Sequence, residues 1–215
     1  MLNPAAFSPA IQQRRHGMPP IRDERHPASR APRIFADSAD IGDIEPLYRA
    51  GIINGVTTNP TLVKRAGASS WTQAKAMLTQ ILNLLAPNPV SLELTELSHD
   101  AMLAQAKELA ALGSNAVIKV PVGGYRAVDA HADPFTGLKV IRALWEQGIH
   151  TNATLVFNTT QAFWAANAGA SCVSPFLGRV ADYLAKHDDT DGQPGNSLYQ
   201  ASNPQRYHNT EYVAC

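Results

Sequence analysis

Residues 116–121 read AVIKVP, five apolar residues around one lysine, and this stretch decides the fold class. A short apolar run of this kind predicts a strand that is buried on both faces, as strands in parallel sheets are. The charge of Lys119 therefore has no exposed face to occupy. The side chain must point into a polar interior, pair with a carboxylate or lose its proton. We expect a parallel sheet with Lys119 in its interior.

The same kind of run recurs along the chain, separated by segments with helical periodicity. Ser98 is expected to begin one of these helices and Gly113 to end it. Strands that alternate with helices form βαβ units and a parallel sheet. No G-x-G-x-x-G follows the first run, and polar residues stand at the ends of almost all runs, which favours a TIM-type (β/α)8 barrel over an open doubly wound sheet. The other runs are RIFADSA (33–39), GVTTN (55–59), VSLELT (90–95), TNATLVF (151–157) and CVSPFL (172–177).

These patterns divide the chain into three parts. Residues 1–32 are rich in Pro, Arg and Ala without periodicity, and we expect a flexible arm there. Residues 33–187 are expected to form a partial barrel that carries the catalytic site. Residues 188–215 are polar and rich in Asn, Gly, Pro and Gln, so a seventh and an eighth strand are not expected there. The predicted fold is an incomplete barrel with about six β/α units.

The composition narrows the function. Lys plus Arg and Asp plus Glu both number 18, so the charge balance gives no reason to expect nucleic acid or a membrane as partner. No apolar stretch approaches the roughly 18 residues of a membrane span, and the N-terminus lacks a secretory signal. Cys172 and Cys215 do not have the spacing of metal ligands. We expect a soluble cytoplasmic protein with no metal site that acts on small molecules.

Three charged residues suggest chemistry on a carbonyl group. Desolvation favours the neutral form of an amine, and a neutral Lys119 could attack a carbonyl carbon. Asp37 and Glu93 lie at a matching depth on other runs and could act as base and acid in the proton transfers of a retro-aldol reaction. The alternative is structural: Lys119 forms a salt bridge to a neighbouring strand, and the carboxylates cap strand ends.

Polar residues at other strand ends could hold a substrate. Thr57, Thr58 and Asn59 in GVTTNP suit a polyhydroxylated molecule, although Asn-Pro more often serves a turn. Asn152 and Thr154 are two apart and so share a face. Ser174 and Arg179 flank a turn that opens a helix, which is a plausible phosphate site, although a lone arginine there is more often in a surface ion pair.

Six of these stretches together resemble the transaldolase family of class I aldolases, which have a (β/α)8 barrel. The resemblance covers residues 33–187 and lies in their order and spacing. The stretches are ADSADI (36–41), GVTTNPT (55–61), SLELT (91–95), VIKVP (117–121), TNATLVF (151–157) and VSPFLGRVADY (173–183).

The resemblance implies a role for each matched position. Lys119 matches the lysine that forms an imine with the substrate, and Asp37 matches the aspartate that transfers protons. Glu93 matches the glutamate that works through a water with the threonine matched by Thr154. The positions that match substrate-binding residues are Asn59 and Asn152, for hydroxyl groups, and Ser174 and Arg179, for phosphate.

The implied reaction transfers a dihydroxyacetone unit from a ketose phosphate to an aldose phosphate in the pentose phosphate pathway, without metal or organic cofactor. A related branch cleaves fructose 6-phosphate directly and has a tyrosine where this chain has Phe176. An apolar ring there would protect the imine from water, so Phe176 favours transfer over cleavage.

Two features differ from the family pattern. Residues 122–137 are longer than the usual connection after the lysine strand and could reshape the pocket or form a lid. Without the last two strands, a barrel would also have an open edge. Two alternatives therefore remain: a truncated, catalytically silent fragment that self-associates or pairs with a partner through that edge, and another phosphosugar enzyme of the same fold.

Overall fold

A computed structural model of the chain describes residues 34–122 and 133–178, and these ranges contain six strands and six helices, with one helix between successive strands except for two between the second and the third. The strands are β1 (Phe35–Asp37), β2 (Gly55–Thr57), β3 (Val90–Glu93), β4 (Ala116–Pro121), β5 (Thr151–Val156) and β6 (Cys172–Pro175). The helices are α1 (Ile41–Arg49), α2 (Pro60–Arg65), α3 (Trp71–Leu85), α4 (His99–Ala110), α5 (Thr136–Glu146) and α6 (Thr159–Ala168).

The strands form one parallel sheet in the order β1-β2-β3-β4-β5-β6. A doubly wound sheet reverses its strand order at a switch point, and this sheet does not. The sheet is also curved. On its inner face Asn152 of β5 donates to Ser91 of β3 at 3.2 Å, and only a curved sheet lets side chains meet across the strand between them. The described residues are thus consecutive β/α units of a TIM-type barrel, as the sequence predicted.

Capping residues mark where α4 begins and where α6 ends. Ser98 accepts a hydrogen bond from the backbone N–H of Ala101 and so caps α4 as predicted. The end of α4 was predicted less well, since the helix stops at Ala110, before Gly113. Gly169 ends α6 in the left-handed conformation, with φ at 111°, which glycine adopts at little cost.

Strand alternation separates an apolar outer layer from a polar interior. Ile118 and Val120 of β4 are fully buried in the core between sheet and helices, whereas Lys119 between them faces inward. The facing helices contribute fully buried side chains, such as Ile81 of α3 and Ile141 of α5. Full burial of one such side chain stabilises the fold by about 1.5–3 kcal/mol. This layer fixes the backbone of β4 and so the position of Lys119.

Several predictions concern residues outside the described ranges: the arm at 1–32, the tail at 188–215, Arg179 and most of the insertion after Pro121. None of the helices in residues 34–122 and 133–178 has the length and apolar character needed to cross a membrane.

Candidate active site

Lys119 occupies the centre of the inner face of β4, with 5% of its surface exposed. Its Nζ atom lies 3.0 Å from Glu93 Oε2 and donates to the backbone carbonyl of Thr58 at 3.2 Å. The strand register causes the ion pair, because Glu93 of β3 lies directly opposite Lys119. The predicted lysine and one of its two predicted carboxylates are therefore in contact.

Glu93 connects the buried amine to open space. Its side chain is 15% exposed, so the carboxylate keeps some access to water. A cavity of about 420 Å³ opens beside it, between α2, α3 and the end of β3, and Thr58, Asn59 and Lys64 are among its lining residues. A carboxylate at 3.0 Å from an amine can hold the charged ammonium or take a proton from it. Such an arrangement suits an amine that must become neutral during a reaction.

Two serines hold Asn152 on the inner face of the sheet. Asn152 of β5 lies in register with Lys119 and is 4% exposed. Its Nδ2 donates to Ser91 Oγ at 3.2 Å, and its Oδ1 accepts from Ser174 Oγ at 2.9 Å. The Nδ2 group keeps one further N–H and Oδ1 keeps one further lone pair, and both suit a substrate hydroxyl. The predicted residues Asn152 and Ser174 are therefore in direct contact.

Thr154 follows two residues later on β5, in register with Pro121 at the end of the lysine strand. Its hydroxyl is fully buried and makes no hydrogen bond with the described residues. Buried hydroxyls usually have a partner, so a water or substrate atom is expected at this position. The next residue, Leu155, has a φ of 57° where the register with β6 shifts. Alternation along β5 would predict Val156 on the face of Asn152, and this is wrong, because after the shift Val156 pairs with Pro175 and is buried in the apolar core.

Asp37 and Thr57 lie on the same face by register but farther from the lysine. Thr57 pairs with Asp37 on one side and with Ser91 on the other, and paired residues of parallel strands point to one face. Asp37 is exposed, and its side chain makes no hydrogen bond or ion pair with residues in the described ranges. Its proposed part in proton transfer thus has no contact in support, and it stays a prediction.

Asn59 makes a turn contact, which was the alternative prediction for the Asn59-Pro60 pair. Its Oδ1 accepts from the backbone N–H of Leu62 at 2.9 Å and caps α2, whose first residue is Pro60. Its Nδ2 is left for other contacts, and Asn59 also lines the cavity beside Glu93. A role in binding substrate hydroxyls stays a prediction.

Phe176 follows β6 and packs edge-to-face against Phe157, with ring centroids 5.6 Å apart. An aromatic pair therefore flanks the end of the sheet next to Ser174. Arg179, the second predicted phosphate ligand, lies outside the described residues.

The sequence prediction missed Ser91 and gave Thr58 only as a possible substrate contact. Ser91 is two residues before Glu93 in a strand, so alternation alone places it on the same inner face. Thr58 contributes a backbone carbonyl to Lys119, and its hydroxyl donates to the Ser91 carbonyl at 2.8 Å. A backbone contact leaves no signal in residue type, so only the structure could find it.

Fold and site define a TIM-type barrel protein with a lysine–carboxylate pair inside the sheet, surrounded by amide and hydroxyl groups. In the described residues no three His, Cys, Asp or Glu side chains are grouped as a metal site would need. A sequence model of the family "Transaldolase/Fructose-6-phosphate aldolase" matches residues 34–210. The chain belongs to this family of aldolase and transferase enzymes.

Curated relatives agree with this assignment. A "Probable transaldolase" from Thermoplasma volcanium is 41% identical over 150 residues, which are 70% of this chain and 61% of that protein. Another from Syntrophomonas wolfei is 44% identical over 150 residues, 70% of this chain and 63% of that protein. The chain thus spans less than two thirds of the length of these relatives. Among solved structures, a 2,3-dimethylmalate lyase matches with a TM-score of 0.48 and 12% identity over 76% of this chain and 63% of that one.

Proposed function

We propose that the chain forms an imine between Lys119 and a ketose phosphate and transfers the resulting dihydroxyacetone unit to an aldose phosphate. The observation that carries this proposal is the contact of a 5% exposed lysine amine with Glu93 Oε2 at 3.0 Å. The cytoplasmic pentose phosphate pathway is the setting we propose for this reaction.

Glu93 is proposed to move protons during imine formation. It takes a proton from the Lys119 ammonium, and the neutral amine then attacks the ketose carbonyl carbon. Returning that proton to the carbinol hydroxyl releases it as water and leaves the imine. The hydroxyl of Thr154, which makes no hydrogen bond within the described residues, would hold the water through which Glu93 acts.

The carbon–carbon bond then breaks when a base takes the proton from the adjacent hydroxyl. Asp37 is the proposed base, on the family match and its inner-face register. The electron pair of the broken bond moves into the imine, which becomes an enamine, and an aldose phosphate leaves. Asn152 is proposed to hold a hydroxyl of the retained three-carbon unit, and Ser174 with Arg179 the phosphate. The enamine attacks the acceptor aldehyde, and hydrolysis of the new imine frees Lys119.

We propose transfer rather than free cleavage because Phe176 presents a hydrocarbon ring, paired with Phe157, near Ser174. An apolar ring keeps water from hydrolysing the retained imine. Phe176→Tyr is expected to raise the release of dihydroxyacetone relative to transfer, measured as the ratio of the two products. An unchanged ratio would remove the support that Phe176 gives to transfer.

Borohydride trapping tests the proposed imine. The purified chain is incubated with fructose 6-phosphate and reduced, and the modified residue is located by mass spectrometry. A three-carbon adduct on Lys119 is expected. Lys119→Met should give none, while Lys107→Met, which changes an exposed lysine of α4, should behave like the wild type. Circular dichroism checks that both variants are folded, and a folded wild type without adduct would contradict the proposal.

The competing proposal is a catalytically silent fragment that self-associates. Its support is that β1 and β6 each have one neighbouring strand in the described part of the sheet. An unpaired strand edge is a template for pairing with another chain. This alternative predicts oligomers and no adduct, so trapping separates it from the enzyme.

A further inference from the structure

Ser91 has no role in the reaction proposed above, yet it occupies the centre of the inner face. It is 1% exposed, two residues before Glu93 on β3. Its hydroxyl oxygen accepts the hydrogen bond from Asn152 Nδ2 at 3.2 Å. That bond joins β3 to β5 across the strand that carries Lys119.

Strand register places this bond next to the lysine. Asn152 lies opposite Lys119, and Ser91 lies opposite Val117, two residues earlier on β4. The Ser91–Asn152 bond therefore passes over the inner side of β4 between these two levels. Ser174 holds the other end of the amide at 2.9 Å, so Asn152 is clamped between two serines.

The strand that holds Ser91 is itself fixed on this face. The hydroxyl of Thr58, 1% exposed, donates to the Ser91 carbonyl at 2.8 Å, and the carbonyl of Thr58 accepts from Lys119. One set of hydrogen bonds thus connects the lysine amine, the Ser91 backbone and the Asn152 amide. A loose Asn152 would have several rotamers, and small errors in placement are costly in an active site.

We propose that Ser91 is a positioning residue, which holds the Asn152 amide where it binds a hydroxyl of the imine-linked substrate. This inference rests on the proposed imine reaction and adds a residue to it. Without the Ser91 hydroxyl, a buried amide N–H loses its partner and the amide is free to turn. The substrate hydroxyl then binds Asn152 less favourably.

The test measures how fast the borohydride-trapped adduct forms on Lys119 with fructose 6-phosphate. Ser91→Ala should slow adduct formation about tenfold, the usual effect of one buried hydrogen bond. Ser91→Thr keeps the hydroxyl and should recover most of the rate. Leu92→Val is the matched control, because Leu92 is fully buried on the opposite face of β3. It should lower the melting temperature without slowing the adduct.

Coupling to Asn152 separates positioning from general stability. Asn152→Ala should slow the reaction on its own, and adding Ser91→Ala to it should have no further effect. The inference is overturned if Ser91→Ala reacts like the wild type, or if its effect persists in full without Asn152. A wild type that gives no adduct at all overturns the imine proposal and this inference with it.

Discussion

At the residue scale, β5 contains a natural matched pair. Thr151 and Thr154 are both fully buried, and neither hydroxyl has a hydrogen-bond partner among the described residues. A buried hydroxyl without a partner costs free energy, so replacing Thr151 by isosteric valine should stabilise the fold by about 1 kcal/mol, whereas valine at position 154 also removes the expected bond to water. Only Thr154 has a proposed role in catalysis.

Thr154→Val should therefore raise the melting temperature less than Thr151→Val does, while slowing imine formation roughly 100-fold, the lower range for a lost acid–base group. Thr151→Val should raise the melting temperature and leave the rate unchanged. Thermal unfolding and the trapping rate, measured on both variants, check this. Equal rates for the two variants would remove Thr154 from the mechanism.

The sequence predicted much of this site because burial and strand alternation are properties of residue type. Lys119, Glu93, Asn152 and Ser174 were all predicted, and the structure pairs Lys119 with Glu93 and Ser174 with Asn152, with Asn152 in register with Lys119. The capping bond of Asn59 was only an alternative, since Asn-Pro fits both a turn and a ligand site. Local preference alone cannot decide between two uses of one amide.

At the element scale, the lysine strand and the helix that follows it are locked together by Gly137. A Cβ at this second residue of α5 would lie 2.0 Å from the backbone carbonyl oxygen of Pro121. Alanine normally stabilises a helix relative to glycine by about 1 kcal/mol. Here a backbone atom must move, so Gly137→Ala should destabilise the fold by about 1–3 kcal/mol.

Urea unfolding measures whether Gly137→Ala lowers the free energy of unfolding, where alanine in a helix normally raises it. Gly178→Ala is the control, because apart from its chain neighbours no atom of the described residues lies within 4 Å of its added Cβ, and its free energy of unfolding should change by less than about 0.5 kcal/mol. A stabilised Gly137→Ala variant would show that α5 can shift away from β4 without cost.

Helices α3 and α4 are joined by a charged contact that should respond to pH. Glu108 of α4 lies 2.6 Å from Lys75 Nζ and also accepts from the indole of Trp71. The hydrogen bond from Lys75, and then that from Trp71, hold the pKa of Glu108 below its ordinary 4.5. A carboxylate with a lowered pKa stabilises the fold above its unfolded pKa, and this contribution is lost as the pH falls through the folded one.

Glu108→Gln should therefore melt slightly below the wild type at pH 7, and the difference should vanish as the pH falls below the ordinary 4.5. The control is Glu96→Gln, which removes an exposed carboxylate in the β3–α4 connection. This variant should melt like the wild type at pH 7 and also below pH 4.5. A difference for Glu108→Gln that stays constant in acid would mean that packing, not charge, joins the helices.

Element types followed from sequence more readily than element ends. All six runs predicted as strands contain strands, and Ser98 caps α4 as expected. The end of α4 was misplaced because Gly113 is a strong signal for a helix end, yet two residues of turn precede it. The backbone distortion at Leu155 had no signal, because leucine rarely adopts a positive φ.

At the scale of the whole molecule, β1 has one neighbouring strand in the described part of the sheet, so its other edge is a candidate for association. Ile34, directly before β1, and Ile52, before β2, are each 54% exposed. Unpaired backbone groups next to apolar side chains favour pairing with a second strand. If the edge at β1 takes part in self-association, a charge placed beside it should weaken the contact.

Ile34→Lys should weaken self-association by about 1 kcal/mol, or roughly fivefold in Kd, because the lysine charge must be desolvated or lie near a like charge on the second copy. Leu97→Lys adds the same charge at a 75% exposed position between β3 and α4, away from both edges of the described sheet, and should leave the Kd unchanged. Sedimentation velocity over a range of concentrations measures both. A wild type that stays monomeric throughout, or equal effects from the two variants, would exclude β1 as the contact.

The trapping rate of Ile34→Lys shows whether a second copy is needed for imine formation. If dissociation also abolishes the adduct, the second copy is needed to complete a working site, whereas an unchanged rate means that one copy is sufficient for imine formation.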